Sequence, residues 1–239
     1  MTLKREPIDI ETIENYLAIP QPESDALVLD DSRRITGPGM IWNKRGALVD
    51  VLIDGFDKAG VVAVWQSQIA RVLEALGWQD SQTNYRIFEN GVTLLISAPS
   101  DLLYSAVFVI ETSWHLTAHK LLELEPEDFD KLIADLKQVI ALEENPALIE
   151  LQQAADQRGI DILSDDDFVS LGHGKGSEVW GVNDIPDPAD IDWSLLHNLP
   201  VALITGTNGK STSVRLATAI GEAAGLVACS TSTDFVKLG

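Results

Sequence analysis

The sequence predicts an α/β protein, in which an N-terminal α+β domain is followed by the start of a parallel-sheet domain. Three observations support this fold class. Two β-rich runs flank a turn dipeptide at Asn90, long helical patterns lie on both sides of it, and a strand, a glycine loop and a helix follow one another from Val201. We place an N-terminal domain at 1–182, a Pro-containing acidic linker at 183–198 and the start of the second domain at 199–239.

The composition limits the class of protein. The chain has 239 residues, of which 45% are hydrophobic, so it can bury a real core. Its net charge of −20 argues against unaided binding of nucleic acid, which needs a basic surface. Residues 201–239 hold three basic and two acidic side chains, so the negative charge lies in the first 200 residues. This change in charge supports a domain boundary just before residue 201.

The cysteine content and the apolar runs predict a cytoplasmic protein. Cys229 is the single cysteine, which excludes an internal disulfide and suggests a reducing compartment. The N-terminal residues 1–7 contain no apolar segment typical of a signal peptide. The apolar runs are far shorter than the roughly 20 residues that cross a bilayer, so we expect no membrane partner.

The first part of the chain predicts helix and strand in alternation. We expect a short helix at 8–17, a strand at 47–53 and a helix at 58–76 that Gly77 ends. The run 61–65 alone is also compatible with a strand.

Arg33 and Arg34 precede a Gly-Pro-Gly turn at residues 37–39. Two adjacent guanidinium groups beside such a turn can bind an anion. The alternative is that they pair with nearby acidic side chains, which are plentiful here.

Residues 85–97 predict a β-hairpin. Two β-rich runs flank Asn90-Gly91, a dipeptide suited to a type I′ turn. We expect Ser100-Asp101 to cap a helix over 102–122. We also expect this helix to be buried, because its centre is apolar nearly all round. Helices on a partly antiparallel sheet make an α+β domain.

Two more helices are predicted after the hairpin and the helix over 102–122. Pro126 starts the first, which has an apolar stripe from Phe129 to Ile140. Pro146 starts the second, which ends at Gly159, and a short strand is expected at 160–163.

Two small clusters permit metal binding but favour other interpretations. His115 and His119 share a helix face, yet Leu116 stands where a metalloprotease glutamate belongs and no third ligand follows. The run Asp165-Asp166-Asp167 fits a helix cap or a solvated loop better than an ion site.

The stretch from Val201 to Thr212 carries the clearest chemistry. A short apolar run is followed by a loop with two glycines, then by a lysine, a serine and a helical pattern that ends near Ala224. Glycines let backbone N–H groups approach a phosphate chain, and a helix N-terminus favours its negative charge. The predicted phosphate-binding residues of this P-loop domain are Gly206, Thr207, Asn208, Gly209, Lys210, Ser211 and Thr212. The alternative is a glycine turn that merely joins a strand to a helix.

The loop departs from the common phosphate loop, G-x-x-x-x-G-K-S/T, because Ile204 stands in place of its first glycine. Its sequence, T-G-T-N-G-K-S over 205–211, resembles the Mur ligase family, and most closely the cyanophycin synthetase-like Mur ligases without an ATP-grasp domain. The segment 160–182, with its Leu-Gly-His-Gly stretch at 171–174, resembles the same proteins more loosely. The three glycines at 172–176 are also compatible with an anion-binding nest, but no helical pattern follows them as it does in a phosphate loop.

The resemblance implies an ATP-dependent ligase that forms an amide bond through an acyl-phosphate intermediate. Its cofactors would be ATP and Mg²⁺, and its other partners an acidic small molecule or peptide and an amino acid. Lys210 would be the catalytic residue that neutralises the γ-phosphate, and Ser211 would hold Mg²⁺. The oligomeric state is left open.

A second strand is predicted at 226–230, which with the loop helix would make the first βαβ unit of a parallel sheet. The polar residues 231–234 would follow it, at the edge where ligands bind in such sheets. An ordinary polar strand end is equally compatible with them.

The resemblance further implies that a complete ligase contains more strands and further ligand-binding residues. We therefore expect the chain to be an N-terminal part of a longer ligase, with little activity alone. The main alternative is a non-catalytic ATP-binding or partner-binding module with a vestigial loop, and a third is a kinase or NTPase of another family.

Overall fold

The structure is a computed structural model that describes residues 10–239, with side chains from residue 12 onward. It shows mixed α/β structure with antiparallel sheets and two compact units, one ending at His197 and one spanning Asn198–Gly239. The predicted helix at 8–17 is shorter in the structure, where α1 spans Ile10–Glu14 and residues 15–17 are not helical. Residues 8 and 9 lie outside the described range.

The first unit contains most of the regular structure. After α1 its elements are β1 Leu27–Ile35, β2 Gly46–Ile53, α2 Lys58–Leu76, β3 Thr83–Phe88, β4 Gly91–Ser97, α3 Leu103–Leu121, α4 Phe129–Glu143, α5 Pro146–Arg158, β5 Ile162–Ser164, β6 Phe168–Leu171 and β7 Glu178–Gly181. Short 3-10 turns lie at Gly174–Gly176, Pro188–Asp190 and Trp193–Leu195.

A four-stranded antiparallel sheet of order β1-β2-β4-β3 is the centre of this unit. The inner strands β2 and β4 are almost wholly buried, and α2, α3 and α4 contribute to the same apolar core. Trp65 of α2 is fully buried there, and its indole N–H donates to the Ser113 hydroxyl of α3 at 2.9 Å. The helices are thereby fixed to the sheet and to each other.

The hairpin of β3 and β4 is confirmed, but its turn differs from the prediction. Phe88 pairs with Gly91, so Glu89 and Asn90 form the loop, and neither has the positive φ that a type I′ turn requires. Gly91 is instead required by close packing within the sheet. A Cβ atom at this position would lie 1.9 Å from the carbonyl oxygen of Val51 in β2.

The predicted helix at 58–76 is confirmed as α2 with the same bounds. Asp57 caps its start by accepting from the Gly60 N–H at 2.8 Å, and Gly77 ends it with φ of +79°. The strand interpretation of 61–65 is wrong, because these residues lie inside the helix and pack on the core at helical spacing.

The long helix α3 is buried as expected, but Ser100 and Asp101 do not cap it. The Glu143 carboxylate, at the end of α4, accepts instead from the backbone N–H groups of Tyr104 and Ser105 at 2.8 and 2.7 Å. The backbone N–H groups in the first turn of α3 therefore find their acceptor on a residue that is 39 positions away from Tyr104 in the sequence.

The two following helices start differently from each other. The prediction that Pro126 starts α4 is wrong: Asp128 is the cap, accepting from the Lys131 N–H at 2.8 Å, and the helix begins at Phe129. The predicted α5 is confirmed, with Pro146 in its first turn and Gly159 after its end.

A second apolar cluster lies beside the main core of this unit. It joins α5 to a small antiparallel sheet of order β5-β6-β7, whose first strand corresponds to the one predicted at 160–163. Ile191 and Leu196, from the range predicted as a linker, are buried in the same cluster.

The second unit consists of α6, Lys210–Ala223, and a small hairpin of β8, Ser230–Thr231, and β9, Val236–Lys237. The apolar run at 201–204, predicted as a strand, is irregular, and only Ser230 of the run 226–230 is in a strand. The parallel βαβ unit is therefore not formed. Parallel strands are stable where both faces of their sheet are covered, but Leu203 is 95% exposed and Val227 is 83% exposed.

Among the residues that the structure describes, no helix combines the length and the apolar character needed to cross a membrane.

Candidate functional site

The candidate phosphate site is the loop that precedes α6. Gly209 is the residue before the helix and has a left-handed φ of +78°, while Gly206 has φ of +148°. A side chain would strain the backbone at both positions. The two glycines of the predicted loop are thus required by the way the chain turns into the helix.

Lys210 bends back over this loop. Its Nζ atom donates to the carbonyl oxygen of Gly206 at 2.5 Å, which places the ammonium group against the loop's own backbone. The bond spans residues 206–210, the part of the sequence expected to surround a phosphate. The ammonium is exposed to solvent here, so an anion can reach it.

The helix adds its own donors to the loop. The first intrahelical bond after the loop runs from the Ser213 N–H to the Gly209 carbonyl at 2.9 Å. The preceding N–H groups, those of Lys210, Ser211 and Thr212, have no acceptor within a helix and carry its positive dipole end. All seven predicted residues thus lie on one continuous segment, and all except the half-buried Ser211 are exposed.

This arrangement fits a nucleotide phosphate chain better than a free metal ion. Donors predominate: backbone N–H groups, the Lys210 ammonium and the three hydroxyl groups of Thr207, Ser211 and Thr212. Within the described part of the chain, no three His, Cys, Asp or Glu side chains converge as a metal site. If Mg²⁺ binds, the protein ligand here is the Ser211 hydroxyl and phosphate oxygens must supply others.

The residues at 231–234 do not lie at the end of a parallel strand, contrary to the prediction. Thr231 is the last residue of β8 and pairs with Val236, and residues 232–234 lie in the turn of the β8–β9 hairpin, where the Ser232 N–H donates to the Phe235 carbonyl at 2.8 Å. The Asp234 N–H donates to the Ser232 hydroxyl at 3.2 Å. The alternative, an ordinary polar strand end, describes them better.

The histidine pair has a structural role. His115 is buried, its Nδ1 lies 2.5 Å from the Pro20 carbonyl, and its Nε2 lies 3.1 Å from the Glu127 N–H. The ring is neutral in this arrangement, with Nδ1 donating and Nε2 accepting. The ring of His119 packs against it, and burial lowers the pKa of His115. Because both nitrogens of His115 are engaged, it is a poor zinc ligand.

The aspartate run forms a loop between β5 and β6, as the preferred interpretation predicts. The Asp165 carboxylate accepts from the N–H groups of Asp167 and Phe168 at 2.9 and 2.7 Å. Asp166 points elsewhere: it accepts from Arg34 at 3.1 Å and from the Tyr104 hydroxyl at 3.0 Å.

The predicted glycine nest at 172–176 is closed by backbone bonds. The His173 N–H donates to the His197 carbonyl at 2.9 Å, and the Gly176 N–H donates to the His173 carbonyl at 3.1 Å. A Cβ atom at Gly172 would lie 2.2 Å from the Gly176 carbonyl oxygen. The glycines therefore allow tight packing and do not form an anion site.

The first unit contains a cavity that the sequence did not predict. It measures about 350 Å³ and has two arginines in its walls, Arg34 and Arg45. Both arginines discussed in the sequence pair with acidic side chains, Arg33 with Asp31 and Asp50 and Arg34 with Asp166, and Arg34 also lines this cavity. Arg45 stands alone just before a strand, and the sequence around it did not indicate a binding residue.

In comparisons with known proteins, no family model matches the chain and no curated protein matches it. The resemblance to the Mur ligases remains a prediction from the loop sequence.

Proposed function

We propose that the loop at 205–212 is the ATP phosphate site of a Mur-ligase-like enzyme, which forms an amide bond through an acyl-phosphate intermediate. One observation carries the proposal: the left-handed Gly209 turns the chain directly into a 14-residue helix whose first residue is Lys210. The structural alternative, a plain turn between elements, does not require a lysine that folds over the loop backbone.

Each loop residue has a role in this proposal. The N–H groups at 207–209 and those of the first helical turn bind phosphate oxygens. Lys210 exchanges the Gly206 carbonyl for a phosphate oxygen and neutralises charge on the transferred group. Ser211 would hold the Mg²⁺ that accompanies ATP, and that ion would withdraw negative charge from the phosphates.

The second substrates are an acidic small molecule or peptide and an amino acid, as the family resemblance implies. The carboxylate would take the γ-phosphoryl group of ATP with release of ADP, and the amine would then attack the acyl phosphate with release of inorganic phosphate. The negative charge of the chain lies in its first 200 residues, so an acidic substrate is more easily accepted beside the near-neutral second unit.

We also propose that the runs at 201–204 and 226–230 become parallel strands in the active enzyme. Leu203 and Val227 are aliphatic and almost fully exposed. Aliphatic side chains are typical of parallel strands whose two faces are covered by helices, so their exposure here marks them as candidates for such strands. Carbon chemical shifts of these runs with and without Mg²⁺–ATP test this idea. Extended values would support it, and unchanged irregular values under saturating nucleotide would contradict it.

The nucleotide site is tested by titration calorimetry of the whole chain with Mg²⁺–ATP. Replacing Lys210 by Ala should weaken binding by about tenfold or more, because a charged donor to phosphate is lost. Lys237→Ala is the matched control, since it removes the same charge from the same unit, where Lys237 pairs with Glu222. Equal affinity of wild type and Lys210→Ala, or no binding by the wild type, would reject the site.

The second candidate is a non-catalytic module in which the first unit binds a partner and the loop is vestigial. It is favoured by one observation, the separate cavity of the first unit, which lies on residues outside the loop. A product assay for amide formation decides between the two in any natural form of the protein that is active. Under the module interpretation, Lys210→Ala leaves its biological activity intact.

A further inference from the structure

The cavity of the first unit lies where its two apolar clusters meet. Its volume is about 350 Å³, at the lower end of the range for small-ligand sites. The walls are the adjoining ends of β1 and β2, the start of α3, the junction of α4 and α5, and the loop between β5 and β6. Such junctions are common positions for binding sites.

Four carboxylates line the cavity, and each already accepts hydrogen bonds. They are Asp101, Glu143, Asp165 and Asp166. The Glu143 carboxylate caps α3 with both oxygens, and Asp166 holds Arg34 and the Tyr104 hydroxyl. Burial and the bond to Asp166 raise the pKa of Tyr104 to about 12, so its phenol donates at neutral pH. The acidic wall is thus held in place by the protein itself.

The two arginines provide hydrogen-bond donors that are only partly used within the described part of the protein. Arg34 uses one nitrogen on Asp166 and stacks on the Tyr104 ring at 3.8 Å. Arg45 donates through Nε to the Thr36 carbonyl at 3.1 Å and forms no ion pair with any described residue. Four of its five N–H groups are on the two Nη atoms. These atoms make no hydrogen bond to a described residue.

Strand register brings the two arginines to the same place. Arg34 lies opposite Ala47 in the β1–β2 ladder, and Arg45 directly precedes β2. Both arginines therefore lie at one end of the sheet and both line the cavity, and Arg45 also lines a second, more open pocket.

We propose that this cavity binds an aliphatic α-amino acid or dipeptide, with the Nη atoms of Arg45 holding its carboxylate. A planar guanidinium with two unused nitrogens matches a carboxylate in a bidentate pair. The ammonium end faces the carboxylates, whose remaining lone pairs can accept its N–H groups. Leu103, Leu148 and Ile162 supply apolar wall for the aliphatic part.

The charge of the walls excludes a phosphate ligand in favour of a zwitterion. Four carboxylates against two guanidinium groups leave the cavity net negative, which opposes a dianion and tolerates a ligand with one charge of each sign. This inference does not depend on the proposed ATP site, which uses residues of the other unit.

Calorimetry with the whole chain and four probes tests the proposal. The probes are L-leucine, isocaproate, which lacks the ammonium group, L-leucinamide, which lacks the carboxylate, and inorganic phosphate. We expect L-leucine to bind more tightly than the other three. Arg45→Gln should weaken L-leucine binding by about tenfold or more and leave L-leucinamide binding unchanged.

Three controls keep the test decisive. Arg86→Gln removes an exposed arginine of β3 outside the cavity and should not change L-leucine affinity. Arg45→Lys keeps the charge without the planar fork and should weaken binding less than Arg45→Gln. Amide chemical shifts of the wild type should move at Arg34, Arg45 and Leu103, which locates binding even if a variant folds poorly.

Each contrary result would overturn the proposal. These results are no saturable L-leucine binding, equal affinity of wild type and Arg45→Gln, phosphate or L-leucinamide binding tighter than L-leucine, or amide shifts confined to residues outside the cavity.

Discussion

His115 holds two distant parts of the chain through its two ring nitrogens. Nδ1 donates to the carbonyl of Pro20, and Nε2 accepts from the N–H of Glu127. Only the neutral ring makes both bonds, because a protonated ring has no acceptor. Burial is the main cause that lowers the pKa of this group, so the folded chain resists its protonation.

The stability of the protein should therefore depend on pH through His115. The pKa is lower in the folded chain than the ordinary value of 6.5, so the unfolded chain binds the proton first. The contribution is fully present above that value and is lost as the pH falls below it. Between about pH 7 and about pH 5, urea unfolding of His115→Gln should show a weaker pH dependence than wild type.

The matched control for this prediction is His119→Gln, which leaves both ring contacts of His115 in place. It should retain most of the wild-type pH dependence, because burial is the main cause of the lowered pKa of His115 and the charge of His119 is a smaller one. An identical dependence in His115→Gln and wild type would show that His115 does not titrate in this window.

Single residues were only partly predictable from the sequence. The i, i+4 spacing of His115 and His119 is visible, but their partners at Pro20 and Glu127 are brought near by tertiary packing. Arg45 illustrates the same limit, because nothing local indicates which arginine will form no ion pair with a carboxylate of the described residues. The seven loop residues could be proposed from the sequence because glycine, lysine and serine stand there within one short segment, and their binding of phosphate stays a prediction.

At the level of elements, helix α3 depends on a cap supplied by another helix. The Glu143 carboxylate binds the N–H groups of Tyr104 and Ser105. Burial raises the pKa of Glu143, although these hydrogen bonds act in the opposite direction. The carboxylate thus joins α4 to the start of α3 in a partly desolvated position.

Replacing Glu143 by Ala should lower the free energy of unfolding by about 2–3 kcal/mol, because two N–H groups lose their acceptor. Glu150→Ala, at an exposed position of α5, should change it by less than about 0.5 kcal/mol. Denaturant titration of both variants is the measurement. Equal effects would mean that water replaces the cap without cost.

A second prediction at this level concerns Gly91 in β4. A Cβ atom there would overlap the Val51 carbonyl at 1.9 Å, so Gly91→Ala must push β2 and β4 apart. We expect a loss of more than about 2 kcal/mol. Gly77→Ala, where a Cβ atom meets nothing within 4 Å, should cost only the strain of its left-handed backbone, about 1 kcal/mol. Thermal unfolding would contradict this account if the order were reversed.

Elements with a strong periodicity of apolar residues were predictable from the sequence. The turn of the hairpin and the start of α4 were not. The bounds of α2 follow from its apolar spacing and from Gly77, which ends the helix within the sequence itself. Asn90-Gly91 suggested a type I′ turn, but Gly91 belongs to the strand because the neighbouring strand approaches it closely. Pro126 suggested a helix start, but the Asp128 side chain, three residues before the N–H it binds, determined where α4 begins.

At the scale of the whole molecule, the two units differ in how well they cover their apolar residues. The first unit buries two clusters around its antiparallel sheets. The second leaves aliphatic side chains such as Leu203 and Val227 exposed. The α/β composition was predictable from local patterns, whereas the parallel sheet depends on strand neighbours that local patterns do not specify. The proposed phosphate loop can be read from the sequence without that sheet, because its candidate donors come from one continuous segment.

The central claim is that residues 205–212 bind the phosphates of ATP. The most direct measurement is the set of backbone amide chemical shifts of the whole chain during titration with Mg²⁺–ATP. We predict saturable shifts centred on Gly206, Gly209 and Lys210, and their loss in Lys210→Ala. Saturation with no change at these amides, or changes confined to the first unit, would contradict the claim.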